Sequence, residues 1–97
     1  MITFITHMRV SPDNAAAFEA LLAEMCTQVL ENEPGVAYYE FARSVADSTL
    51  YTVIEAYYHE AALAAHAETH YLKTLLPKTA ALVEGGKFDI KQYVNPG

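Results

Sequence analysis

Three of the four histidines in this chain, His59, His66 and His70, fall within twelve residues of one another. Imidazole exchanges protons near neutral pH, so such a cluster points to general acid–base chemistry or to metal ligation. The histidines stand in an alanine-rich segment that runs from His59 to Tyr71. On a helix, His59, Leu63, His66 and His70 occupy i, i+4, i+7 and i+11 and share one face. A face of imidazoles among alanines is either a polar pocket wall or a wet surface. His66 and His70, at i and i+4, have a spacing that suits one metal ion. However, Ala67 stands where a zinc-protease helix carries glutamate, and neither a cysteine pair nor a third histidine lies at ligand spacing. The expectation is a site without a metal.

Ninety-seven residues suffice for a single domain, taken as 1–97, near the lower size limit for a substantial core. The chain is 53% apolar, too hydrophobic for disorder. Its formal net charge is −6 and its six basic residues are scattered, which argues against nucleic acid or an anionic membrane as partner. No apolar run approaches the roughly 20 residues that span a bilayer, and no leader pattern precedes the first strand. A lone cysteine, Cys26, fits a reducing compartment, and the expected location is cytoplasmic.

The elements that must position the histidines follow from periodicity. Ile2–Val10 alternates as a strand, with Ile2, Phe4, Thr6, Met8 and Val10 on its apolar side and Thr3, Ile5, His7 and Arg9 on a mixed side. Ser11-Pro12-Asp13-Asn14 is a helix start in which the serine hydroxyl is expected to cap an amide. Phe18, Leu21, Leu22, Met25 and Val29 then keep helical spacing up to Asn32-Glu33-Pro34-Gly35. Val36–Arg43 and Leu50–Tyr57 form a strand pair around a polar turn. A helix begins near His59, and Pro77 is expected to kink or divide the helical pattern of Tyr71–Val83. Gly85-Gly86 ends it before a last strand, Phe88–Val94. The order β-α-β-β-α-β is the α+β, ferredoxin-like arrangement: an antiparallel sheet with two helices on one face. Apolar side chains occur on both faces of the strands, so a second copy is expected to cover the bare face, giving a homodimer.

With these elements in place, the sequence resembles the antibiotic biosynthesis monooxygenase family over nearly its whole length. The resemblance is carried by Ser11-Pro12-Asp13, by Glu33-Pro34-Gly35, and above all by Tyr51-Thr52-Val53-Ile54-Glu55-Ala56-Tyr57 leading to Ala61-Ala62-Leu63-Ala64-Ala65-His66. It implies a dimeric α+β barrel with a pocket between sheet and helices. For the oxygenase members it implies oxidation of quinols or polycyclic phenols by O2 without flavin, metal or haem. On that basis His66 is the expected base or orienting partner, and His70 or Tyr71 the second polar contact. Leu63 and Glu55 are expected at the pocket, with His7 if the mixed face of its strand turns toward the helices. Glu55 alternatively pairs with Arg43 or a backbone amide. The family pattern of a histidine, four residues, then a second histidine is altered here: an ungapped match puts Thr69 at the usual Ser/Thr position and Tyr71 where the second histidine stands. Two other readings stay open. Relatives that process a phosphorylated autoinducer sugar by proton transfer would need Arg9, Lys73 or Lys78 as anion anchors, and a non-catalytic small-ligand barrel needs none. Haem degradation in this family uses a helix tryptophan, and this chain has none.

Overall fold

The computed structural model describes residues 1–97. Strands β1 (Ile2–Arg9), β2 (Val36–Arg43), β3 (Leu50–Tyr57) and β4 (Asp89–Val94) form one antiparallel sheet in the order β2-β3-β1-β4. Helices α1 (Ala15–Asn32), α2 (Glu60–Ala67) and α3 (His70–Leu82) lie on one side of it. This is the expected ferredoxin-like topology, with the second helical segment in two pieces. No helix is long and apolar enough to cross a membrane.

The core follows from the periodicities. Phe18, Leu22, Met25 and Val29 of α1 recur at helical spacing and are buried. They meet Met8, Tyr39, Tyr51, Val53 and Tyr57 from the sheet. The phenol of Tyr51, itself buried, donates a hydrogen bond to Glu19 and so ties β3 to α1. Cys26 is half-buried, and desolvation pushes its thiol up to about 11, so it stays protonated at neutral pH.

Four local expectations are corrected. The Ser11 hydroxyl makes no capping bond; a short 3-10 turn, Pro12–Asn14, precedes α1, and the Ser11 carbonyl accepts from Asn14 N at 3.0 Å. Strict alternation of β2 would put Val36, Tyr38 and Glu40 on one face and Ala37, Tyr39 and Phe41 on the other, but a bulge at Ala37 lets Val36 join Tyr39 on the helix side while Tyr38 faces away. Pro77 sits inside an uninterrupted α3, and the division falls earlier, at Glu68-Thr69. There the Thr69 hydroxyl and amide both close on the His66 carbonyl, at 2.8 and 3.1 Å, which ends α2. The fourth concerns β1. Its register places Phe4, Thr6 and Met8 opposite Glu55, Val53 and Tyr51 on the helix side. His7 therefore lies on the other face, exposed, between Thr52 and Asp89. A period of two leaves no way for it to reach the helix side.

Candidate active site

α3 packs chiefly on α1 and stands away from β1 and β4, leaving a hollow of about 520 Å³ between helices and sheet. Phe4, Met8, Met25, Val53, Leu63 and Leu72 contribute carbon surface to it. Three ionisable side chains, Tyr39, Glu55 and His66, also line it, and no lysine or arginine does. A separate outer cleft of about 760 Å³ lies where α2 and α3 meet the turn after α1. It is lined by Glu33, His59, Glu68, His70 and Tyr71 among others.

His66 projects from the last turn of α2 and is 5% exposed. Its Nδ1 lies 3.0 Å from each carboxylate oxygen of Glu33. An ionised carboxylate only accepts, so this contact selects the tautomer with hydrogen on Nδ1 and leaves Nε2 as the free lone pair. The Tyr71 hydroxyl donates to the same carboxylate. Burial, and then that bond to Glu33, push the Tyr71 phenol above its ordinary range. The rings of Tyr39 and Tyr57 flank the imidazole, with centroids 5.7 and 5.5 Å away. Both phenols are held protonated, by burial first and by the nearby Glu55 second. The imidazole is thus fixed by one acid and two aromatic walls.

Glu55 accepts a hydrogen bond from the Tyr57 hydroxyl at 3.0 Å. It does not pair with Arg43, whose partner is Glu19 at 3.7 Å, because Glu55 points toward the hollow. Burial raises its pKa; the Tyr57 bond and His66 pull in the opposite direction and offset only part of that. A raised folded-state pKa gives stability that is complete below the unfolded value and is lost as pH rises through the folded one. Glu55→Gln should therefore melt at a higher temperature than the native chain at neutral pH, with the gap closing near about pH 3.5, below the ordinary carboxylate range. Thermal melts at the two pH values check this, and an equal gap at both would reject it.

The remaining candidates separate. Leu63 lines the hollow. His59 caps α2, its Nδ1 accepting from Ala62 N at 3.2 Å. His70 opens α3 and faces solvent at the cleft, so His66 and His70 diverge and no shared face of imidazoles forms. Of the two residues considered for the second contact, Tyr71 is the one turned inward.

The family model for antibiotic biosynthesis monooxygenases matches residues 1–77. The chain belongs to the antibiotic biosynthesis monooxygenase family. Among solved structures, a family protein from Caulobacter crescentus, provisionally assigned as such a monooxygenase, is 29% identical. That alignment covers 95% of this chain and 86% of the other, with a TM-score of 0.89. One from Nitrosomonas europaea, with the same provisional assignment, is 26% identical over 100% of both chains, with a TM-score of 0.88. A Deinococcus radiodurans structure, 16% identical over 100% of this chain and 94% of its own, shares the fold with a TM-score of 0.87. No protein of curated function matches the chain.

In this family member, Glu33 is the site residue that sequence reasoning missed. In the sequence it stands only as part of an acidic-Pro-Gly turn. A signal was present: an acid closing a helix C-terminus opposes the helix dipole, and such local misfits concentrate at functional sites.

Proposed function

We propose that this protein is a cofactor-independent monooxygenase that oxidises a small, uncharged, hydroxylated aromatic compound with O2. The observation behind this reading is a carbon-lined hollow into which an oriented imidazole presents its free nitrogen. His66 Nε2 accepts the substrate hydroxyl proton, and Glu33 fixes the ring for that transfer. The resulting phenolate is far more reducing than the phenol and passes electrons to O2. For a hydroquinone, one oxygen atom enters at a ring carbon as a hydroxyl of the product quinone and the other leaves as water, so no further reductant is required. The apolar walls keep bulk water from quenching the anion. Glu55, whose pKa burial raises, offers a second polar contact to a substrate hydroxyl.

The phosphosugar alternative finds less support, because its anchors lie elsewhere. Arg9 pairs with Asp47 at 2.7 Å on an exposed edge, Lys73 pairs with Glu68 at 3.0 Å, and Lys78 is exposed. A homodimer through the bare sheet face is also part of the proposal, since Ile5, Leu50, Ile54 and Tyr38 lie on the side that no helix covers. Sedimentation in dilute solution tests that part, and a stable monomer would overturn it. For the reaction, a small hydroquinone is incubated with and without protein, in air and under argon. Quinone absorbance that rises faster with protein, in air only, is the expected result. Equal rates with and without protein would reject the oxygenase.

A further inference from the structure

We propose that Glu33 is the proton outlet of the site, carrying the substrate proton from the carbon-lined hollow to the outer cleft through the His66 ring. This rests on the reading of His66 as base. His66 lines the hollow and not the cleft, whereas Glu33 and Tyr71 line the cleft and not the hollow. The only hydrogen bond between the two compartments at the ring is His66 Nδ1 to Glu33, at 3.0 Å. The ionisable groups packed around the ring are Glu33 from the turn after α1, Tyr39 from β2, and Glu55 and Tyr57 from β3. Tyr71 from α3 reaches the ring only through Glu33. Of the four around the ring, Glu33 alone lines the cleft. Glu55 faces the hollow, where burial raises its pKa, and it does not line the cleft, so it offers no path outward.

The step conserves protons. The substrate oxygen gives its proton to Nε2 as the Nδ1 hydrogen passes to the Glu33 carboxylate, and the resulting carboxylic acid releases it to water in the cleft. The ring begins and ends neutral with its hydrogen moved from Nδ1 to Nε2, and one proton has left the hollow for solvent. When the Nε2 hydrogen is delivered to the departing water, the cleft resupplies Nδ1 through Glu33. Glu33 does not touch substrate; it is a positioning and relay residue.

The test needs no substrate. In the full chain labelled with 15N-histidine, NMR follows exchange of the His66 ring N–H with solvent, and the backbone amides of Ala65 and His66 report opening of α2. The expected ring exchange is at least tenfold faster than those amides. Glu33→Gln, which keeps the shape and the bond to Tyr71, should slow it at least tenfold with the amides unchanged. Glu33→Asp should fall between. A ring proton that exchanges at the amide rate in the native chain would overturn the outlet, and that measurement requires no variant to fold. So would Glu33→Gln exchange equal to the native rate. Hydroquinone oxidation with Glu33-independent exchange sinks the outlet alone. Fast, Glu33-dependent exchange without any oxidation sinks the oxygenase reading instead.

Discussion

His66→Gln should lower hydroquinone turnover by about 10² to 10⁴-fold, the usual contribution of a positioned general base. Glutamine is the informative substitution. Its amide can still donate to the Glu33 carboxylate, so the buried acid keeps a partner, yet it offers no nitrogen able to hold the substrate proton. His66→Ala should lose as much activity and in addition destabilise the fold, because Glu33, whose side chain is 8% exposed, would be left with Tyr71 alone. Turnover against the protein-free rate, together with melting temperature, separates the two effects. Undiminished turnover in folded His66→Gln would remove the histidine from the mechanism.

Gly35→Ala carries the largest expected change in stability among these predictions. A Cβ at Gly35 would stand 2.5 Å from the Ala62 Cβ, with the Ala62 Cα at 3.5 Å. Neither atom belongs to a flexible side chain, so α2 must move away from the start of β2. Overpacking of this kind costs about 1–3 kcal/mol. For a domain of this size each kcal/mol lowers the melting temperature by about 4–8 °C. The displacement also separates His66, on α2, from Glu33, two residues before Gly35, so turnover should fall with stability. The double variant Gly35→Ala/Ala62→Gly should be more stable than the sum of the single effects, since the second change removes the atom that clashes. Strict additivity would show that the contact is not the cause.

Strands and α1 were legible because their signals are local. Alternation fixed β3 as Leu50–Tyr57, and of five apolar residues at helical spacing in α1 four are buried, with Leu21 partly so. The topology followed from element order. What escaped depended on partners distant in the chain or on a one-residue shift. The Glu33–His66 contact joins residues 33 apart, and no periodicity reports such a pairing. The Thr69 break turned His70 outward and Tyr71 inward, and it rests on a side-chain bond to a carbonyl that helical spacing does not anticipate. His7 was judged from a mixed face, and the register decided it. For His66 the alanine-rich setting leaves a pocket wall and a wet surface equally open, and only the family resemblance singles this histidine out.

The bulge at Ala37 leaves one residue of β2 without a partner on β3. Most small side chains would serve at that position. Deleting it would leave Val36 opposite Tyr57, Tyr38 opposite Ala56 and Tyr39 opposite Glu55 in plain alternation, so each residue beyond it would keep its present face and only the local bend would be lost. The run between the turn that holds Glu33 and the tyrosine beside the imidazole therefore carries one residue more than the strand pairing uses.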